Sequence, residues 1–512
     1  MAAFHEPPDW VTGKNGASTG AVFYQIFPDR FVRSGRVDLG ARLEDWDAPP
    51  TNWGYKGGDL WGVIDKLDYL VGLGINAIWF NPIFQSASNH GYHTHDYFRV
   101  DPMLGGEEAF DALIEAAHAK GIRVVLDGVF NHASRGFFQF NDIAEHQDQS
   151  AFVDWFRIRE FPIRPYDEDT PATYDAWWGL HALPSFNTET EAVREFLWSV
   201  GTHWVDRGID GWRLDVPNEI ATPGFWDEFR LRVRRVNPEA YITGEIWGHG
   251  PEWVGADGPF DGLMNYPLTT AIIRFAIGNR INEEGIVANY DYHVTPGANA
   301  GEFANSVDEM LTTYDAQTRP ALFNLLDSHD TGRIMTMANG DSELVILALA
   351  LLFTMPGVPC VYYGTEVGLE GNPDPDNRRG FPWDAMESAP SITSALKSLI
   401  AIRHAEPGLR SGELERLGPL RGVDFGRTYL FARGTGSERL VVAVNHADEP
   451  DRVEVTTEMM GEDPVAIWAV ASTTFPPSPP SDSAESPEPD TSLKMVLDLP
   501  PRSVGIWKAP KP

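Results

Sequence analysis

The sequence predicts an α/β fold, a TIM (β/α)8 barrel with a small inserted subdomain after strand 3 and a C-terminal antiparallel β-sandwich. Eight short runs of apolar and β-branched residues recur between residues 21 and 407, with helix-like segments between them. The runs are continuously apolar rather than alternating, which is typical of strands buried on both faces of a parallel sheet. Eight such units close a barrel, and the active site of a barrel lies at the carboxyl ends of its strands.

The barrel strands follow one another in a regular order. The eight runs are AVFYQIFP, INAIWFNP, IRVVLDGVF, GIDGWRLD, AYITGEIW, FDGLMNYP, ALFNLLDSHD and VPCVYYGTE. Amphipathic segments between them predict the outer helices, for example residues 107–121, where Gly121 is the expected C-cap. We therefore expect an N-terminal extension over residues 1–20 and a barrel formed by residues 21–132 and 192–411.

Two further regions depart from the barrel pattern. Residues 133–191 are longer than a βα loop needs, and loops beyond ~15 residues are usually functional, so we expect an inserted subdomain that walls a cleft. Its Trp177 and Trp178 fit a subdomain core and a ligand-binding platform equally well. Residues 412–512 contain alternating runs such as TYLFARG and RLVVAVNH, which predict the antiparallel sandwich. Within it, residues 473–492 are rich in Pro, Ser and acids and are expected to form a mobile loop.

Composition excludes several classes of partner. The 74 acidic and 40 basic residues give a net charge of −34, which repels nucleic acid and favours a neutral ligand. The longest apolar run, residues 344–355, is shorter than the ~20 residues of a membrane span and fits a buried helix that leads into a strand. The single cysteine, Cys360, cannot form an internal disulfide. We find no signal peptide pattern at the N-terminus and expect a cytoplasmic protein, with export by another route left open.

Asp215 and Glu245 form the most informative pair of residues. Each follows a β-type run, and thirty residues containing a helix-like stretch separate them. Adjacent strands lie ~4.8 Å apart, so the two carboxyls are expected to face each other across ~5 Å, as in a retaining glycosidase. Arg213 points to the same interior and is expected to keep Asp215 ionised. Glu245, beside Trp247, is the better candidate for a raised pKa and for proton donation.

Four motifs carry a resemblance to a known family. They are DGVFNH at residues 127–132, GWRLDVPNE at 211–219, GEIW at 244–247 and LLDSHDT at 325–331. Their order and spacing resemble the four signature regions of the α-amylase family of glycoside hydrolases, over nearly the whole chain from residue 8. The segments YQIFPDRF, GGDLWGVIDKLDYL and YYGTEVGLEG resemble the cyclomaltodextrinase, neopullulanase and maltogenic amylase group most, here without that group's extra N-terminal domain.

The resemblance implies a hydrolase for α-1,4-glucosidic bonds in maltodextrins, cyclodextrins, starch or pullulan, with transglycosylation as a second outcome. It makes Asp215 the nucleophile, Glu245 the general acid/base and Asp330 the stabiliser of the distorted sugar. Asp127 is expected to support Arg213. The substrate-binding residues that it implies are Tyr92, His132, Arg213, His329, Asp374 and Arg378.

No cofactor is required by this chemistry, and structural calcium is left open. The common amylase calcium site is not supported, because Glu219 stands where that site has a histidine. The group's other site keeps Gly57 and Asp59, which are therefore the candidate metal residues, since calcium prefers oxygen ligands. The histidines of HGYHTH, namely His90, His93 and His95, are expected to be solvated loop residues rather than a metal cluster.

Two alternatives stay open at this point. One is a glucanotransferase of the same fold. The other is a non-catalytic amylase-like binding module, which the intact Asp215, Glu245 and Asp330 argue against. Because the group's N-terminal domain helps to build its dimer, we expect a monomer or weak homo-oligomer here, with a more open cleft.

Overall fold

The computed structural model describes residues 6–14, 16, 18–40, 43–286, 294–417, 426–460, 464–470 and 494–508. The barrel strands are β1 (Phe23–Ile26), β2 (Ala77–Phe80), β3 (Arg123–Gly128), β4 (Gly211–Leu214), β5 (Tyr241–Gly244), β6 (Gly262–Leu263), β7 (Phe323–Asn324) and β8 (Val358–Tyr362). They pair in parallel in the order β6-β5-β4-β3-β2-β1-β8-β7. A parallel bridge between Met264 and Phe323 joins β6 to β7 and closes the ring. The eight predicted strands and the predicted barrel are confirmed.

Burial on both faces explains the continuous apolar runs. Every residue of the barrel strands is buried except Arg123, at the start of β3. Side chains from β1, β2 and β7 meet inside the ring: the rings of Phe23 and Phe323 lie 5.0 Å apart, and those of Trp79 and Phe323 lie 5.8 Å apart. The interior is therefore a packed core, and only the open ends of the strands can hold a site.

Helices surround the barrel. The longer ones are Gly106–Ala119, Glu191–Asp206, Phe225–Val236, Tyr266–Ala276, Ala300–Thr313, Ser342–Thr354 and Pro390–Ala405. The shorter ones are Asp9–Thr12, Pro28–Phe31, Leu60–Asp65, Leu67–Leu73, Phe138–His146, Ile334–Met337, Pro407–Arg410 and Thr457–Met460. Gly106–Ala119 is followed by Lys120 and then by Gly121, whose φ of 73° ends the helix. Ser342–Thr354 is the predicted buried helix, and it leads into β8. Within the described part of the chain, no helix has the length and apolar content needed to cross a bilayer.

The segment between β3 and helix Glu191–Asp206 has a small aromatic core of its own. It contains helix Phe138–His146 and isolated bridges such as Phe156–Phe186 and Ile158–Tyr174. The rings of Phe140 and Tyr174 lie 4.8 Å apart. A hairpin, Phe84–Ser86 with Thr94–Val100, fills the loop after β2. Both features stand at the carboxyl end of the barrel, and the domain boundaries expected from the sequence stay a prediction.

The C-terminal region is an antiparallel sandwich, as predicted. Its strands are β9 (Leu414–Arg416), β10 (Thr428–Arg433), β11 (Leu440–Asn445), β12 (Asp451–Thr456), β13 (Val465–Val470), β14 (Lys494–Leu499) and β15 (Ser503–Lys508). One sheet has the order β9-β10-β11-β15-β13, and β12 pairs with β14. Along β10, Tyr429 and Phe431 pack into the barrel core while Leu430 and Ala432 pack into the sandwich core. The predicted mobile loop over residues 473–492 lies outside the described residues.

Candidate active site

The two central carboxyls leave the barrel at the same place. Strands β4 and β5 pair in register, with Leu214 opposite Gly244, so Asp215 and Glu245 are the next residue on each strand. The amide of Glu245 donates to the carbonyl of Leu214 at 2.9 Å, which carries the ladder one step further. The structure therefore sets both side chains at the carboxyl ends of adjacent strands.

Arg213 connects these carboxyls. Its Nη1 lies 3.0 Å from Asp215 Oδ1 and 2.9 Å from Asp127 Oδ1, and its Nη2 lies 2.8 Å from Glu245 Oε2. The amide of Val216 also donates to Glu245 Oε2, at 3.1 Å. Because one planar guanidinium spans both, the paired oxygens of Asp215 and Glu245 lie at most about 8 Å apart. Arg213 itself is fully buried behind the carboxyls rather than exposed to a ligand.

Burial raises the pKa of each carboxyl in this group. The pKa of Asp215 and that of Glu245 both rise to about 7, and the positive charge of Arg213 only partly opposes the rise. The pKa of Asp127 rises to about 6 for the same reason. Arg213 lowers the pKa of Asp215, as expected from the sequence, but burial outweighs this effect. The guanidinium is shared by three carboxyls, so it cannot offset the burial of any one of them.

Asp330 stands beside a neutral histidine. Gln25 Nε2 donates to His329 Nδ1 at 2.9 Å, so Nε2 carries the proton of this imidazole. That Nε2 lies 3.1 Å from Asp330 Oδ2 and 2.6 Å from Tyr92 Oη. Burial holds the pKa of His329 well below its usual range, and burial raises the pKa of Asp330 to about 7. Arg378 Nη2 approaches Asp330 Oδ1 to 3.7 Å.

Tyr92 and Asp127 form the support next to this pair. Tyr92 Oη donates to Asp127 Oδ2 at 3.0 Å and accepts from Asn81 Nδ2 at 3.2 Å. Its ring lies parallel to that of His329, with centroids 5.4 Å apart. Trp79 Nε1 donates to the same Asp127 oxygen at 3.3 Å. Asp127 thus contacts Arg213 through Oδ1, as expected from the sequence, and accepts hydrogen bonds from Tyr92 and Trp79 at Oδ2.

A single cleft of about 260 Å³ collects most of the predicted residues. It is lined by Tyr92, His132, Asp215, Glu245, His329, Asp330, Asp374 and Arg378, together with His90, His93, Trp177, Trp178, Leu180 and Leu183. Asp374 Oδ1 and Arg378 Nη1 form an ion pair of 2.9 Å. His132 is buried, its pKa is lowered to about 3 by burial, and its Nε2 has no hydrogen-bond partner among the described residues.

The sequence did not place His90 and His93 at the site. They were expected to be solvated, but both line the cleft, with ring centroids 5.0 Å apart. Burial lowers the pKa of His93 to about 4 and that of His90 well below its usual range. The expectation is wrong for these two because the hairpin after β2 carries them against the cleft wall. In the described ranges, no cluster of three His, Cys, Asp or Glu side chains is arranged to hold a metal ion.

Gly57 and Asp59, the candidate metal residues, hold a loop and a helix terminus. Asp59 Oδ1 accepts from the Gly62 amide at 2.8 Å, and Oδ2 accepts from the amide and hydroxyl of Ser34 at 3.0 and 2.9 Å. The amide of Gly57 donates to Asp29 Oδ1 at 2.8 Å. Calcium at Asp59 would have to displace these hydrogen bonds, so the side chains present do not form a cradle for it. The calcium site stays a prediction, and no step below depends on it.

Comparison with known proteins gives consistent results along the chain. Residues 25–412 match the family model for the alpha amylase catalytic domain. A cyclomaltodextrinase from a Bacillus species is 38% identical over 443 residues, which are 86% of this chain and 74% of that protein. Neopullulanase 2 from Thermoactinomyces vulgaris is 38% identical over 435 residues, 85% of this chain and 70% of that protein. The crystal structure of a debranching enzyme from Nostoc punctiforme has a TM-score of 0.85 at 46% identity, covering 99% of this chain and 100% of that one.

Proposed function

This chain belongs to the alpha-amylase family, and on that premise we propose that it is a retaining glycoside hydrolase that cleaves α-1,4-glucosidic bonds in maltodextrins, cyclodextrins, starch or pullulan. The observation that carries the proposal is the position of Asp215 and Glu245 at the ends of adjacent strands, around one guanidinium. Neighbouring strands are ~4.8 Å apart, close to the ~5–5.5 Å between the carboxyls of retaining glycosidases.

In the first step, an oxygen of Asp215 attacks the anomeric carbon while Glu245 gives its proton to the leaving glycosidic oxygen. The new bond joins the sugar to Asp215, and the bond to the leaving sugar breaks. Burial and the negative charge of ionised Asp215 both raise the pKa of Glu245, so Glu245 keeps its proton while Asp215 is ionised. Arg213 lies 3.0 Å from Asp215 and favours the ionised form that attacks.

In the second step, the Glu245 carboxylate takes a proton from water, and the water oxygen attacks the same carbon. Asp215 is released, and the sugar regains its original configuration. Glu245 then holds a proton again and is ready for the next cycle. A sugar hydroxyl in place of water gives transglycosylation through the same intermediate.

The remaining cleft residues hold the reacting sugar. Asp330 is placed by His329 and Arg378, and it would stabilise positive charge as the ring distorts. His132 lines the cleft, and the family resemblance makes it a donor to a sugar hydroxyl. The Asp374–Arg378 pair would bind the next glucose toward the non-reducing end.

A second candidate function follows from one observation. The solved structure that is 46% identical over nearly the full length of both chains is named a debranching enzyme. We therefore keep debranching activity on a branched α-glucan as the second candidate. Chromatography of the products from a linear and a branched maltodextrin separates the two. The products from maltotriose separate a hydrolase from a glucanotransferase: a transferase gives longer and shorter products with no net gain of reducing ends, whereas a hydrolase gives only shorter products and raises the number of reducing ends.

The variant Glu245→Gln tests the proposal. Glutamine keeps the size of the side chain and an oxygen for the Val216 amide, but it has no proton to donate. We expect reducing-sugar release from maltohexaose to fall by about 10²–10⁴-fold. The control Glu108→Gln, on the exposed first turn of helix Gly106–Ala119, should keep the parent rate. Equal activity of Glu245→Gln and the parent protein would remove Glu245 from the reaction.

The expected cytoplasmic location and the monomeric or weakly associated state stay predictions.

A further inference from the structure

Three aromatic rings form a ladder along one wall of the cleft. The ring of Trp177 stacks on that of His132, with centroids 5.2 Å apart and planes 24° apart. Trp178 stacks on Trp177 at 4.5 Å and 8°. All three line the cleft that holds the reacting carboxyls. His132 is buried, whereas Trp178 is 58% exposed, so the ladder leads from the buried His132 out to an accessible indole.

The backbone at the end of this ladder is strained. Trp178 has φ 51° and ψ 20°, a left-handed conformation that is costly for a residue with a large side chain. Hydrogen bonds fix the turn around it: the Trp177 amide donates to the Leu183 carbonyl at 2.9 Å, and the Leu180 amide donates to the Trp177 carbonyl at 3.0 Å. Glycine, which adopts this conformation freely, would serve the turn better.

The indole of Trp178 is not part of the buried core of the inserted segment. The core of that segment is formed by buried rings such as Phe140, Phe156 and Tyr174. Trp178 is absent from that buried set and is more exposed than not. A strained residue that exposes more than half of its side chain and lines a binding cleft is a candidate for contact with a ligand.

We propose that Trp178 is a platform on which one glucosyl unit of the α-glucan stacks, one position away from the sugar that reacts. The inference rests on the proposed function for the identity of the ligand. Trp178 lies two ring spacings from His132, and both line the cleft that holds the reacting carboxyls. An indole face matches the apolar C–H face of a pyranose, and Trp buries a large area with little loss of side-chain freedom.

The variants Trp178→Gly and Trp178→Phe test the platform. Trp178→Gly should raise KM for maltohexaose by about tenfold, with a small change in kcat, because a stacking contact is lost while the carboxyls stay in place. Its Tm should equal or exceed that of the parent, because glycine relaxes the left-handed turn. Trp178→Phe, which keeps an aromatic face, should recover most of the parent KM. Phe138→Ala, which removes a 67% exposed ring of the same segment outside the cleft lining, should leave KM unchanged.

Two results would overturn the platform. One is an unchanged KM in Trp178→Gly. The other is a marked fall in its Tm, which would show that the indole packs against the protein. The same substitution in the Glu245→Gln background separates this proposal from the proposed function, because calorimetry of maltohexaose binding requires no turnover. If the parent protein binds maltohexaose without cleaving it, the proposed function fails, and the loss of affinity in the double variant still decides the role of Trp178.

Discussion

At the scale of single residues, Arg213 organises the reaction site. Its guanidinium contacts Asp127, Asp215 and Glu245 and lies over the ring of Trp79, 5.2 Å from the centroid. One cation shared among three buried carboxyls cannot repay the desolvation of each. The pKa of each carboxyl therefore stays raised, and the site exchanges protons near neutral pH.

The variant Asp127→Asn should extend activity to lower pH. The negative charge of Asp127 is one cause of the raised pKa of Asp215, and its removal also frees Arg213 to act on Asp215 more strongly. The pKa of Asp215 should fall, so the nucleophile stays ionised in more acidic solution, and the acidic limb of kcat/KM should move down by about one pH unit. The pH profile of maltohexaose hydrolysis measures this. A limb that stays in place, or that moves to higher pH, would contradict the proposed coupling.

The sequence predicts the position of a site residue well when a barrel strand fixes it, and poorly when a loop carries it. Asp215 and Glu245 could be placed because each directly follows a strand, and the strands of a barrel fix the direction of their ends. His90 and His93 could not, because they stand in a polar hairpin tip whose position depends on contacts across the cleft. The raised pKa of Asp215 was missed for a related reason, since burial and a shared cation exist only in the folded molecule.

At the scale of elements, Asp59 holds the loop after β1 to the next helix. It is the N-cap of helix Leu60–Asp65 and also accepts from both donors of Ser34. The long strands and helices followed from apolar periodicity. The role of this polar loop could not be predicted from apolar periodicity. The sequence GGD fits both a metal motif and a helix cap, and only the contacts of Asp59 with Gly62 and Ser34 separate the two.

Replacing Asp59 by alanine should remove the cap whether calcium is present or not. We expect Tm to fall by a few degrees, corresponding to about 1–2 kcal/mol, because a buried helix terminus loses its acceptor. The loss should be equal in calcium and in EDTA. Asp65, in the same helix, forms an exposed ion pair with Arg36. The control Asp65→Ala removes this pair and should change the free energy of unfolding by less than about 1 kcal/mol. A loss that appears in calcium alone would show that Asp59 is a metal ligand.

At the scale of the whole molecule, buried arginines join the barrel to the sandwich. Arg433, on β10, donates to the carbonyls of Thr354, Leu409, Ser411 and Glu413. Arg403 donates to the Phe353 carbonyl at 2.9 Å. Thr354 ends the buried helix Ser342–Thr354, so both cations stand at the negative end of that helix. Burial holds the pKa of Arg433 well below its usual range, and its hydrogen bonds are to carbonyls rather than to carboxylates.

Arg433→Met should therefore destabilise the barrel and the C-terminal sandwich together. Methionine fills much of the space, but it leaves several buried carbonyls without a donor, and each such group costs about 1–3 kcal/mol. We expect a loss of at least about 3 kcal/mol, seen by calorimetry as a fall in Tm with the barrel and the sandwich unfolding in one transition. Arg439→Met, which removes an ion pair with the exposed Glu415 in the same sheet, should cost less than about 1 kcal/mol. If Arg433→Met instead splits the transition and leaves the barrel at its parent Tm, the arginine stabilises the sandwich alone, and the helix terminus at Thr354 must be stabilised by other donors.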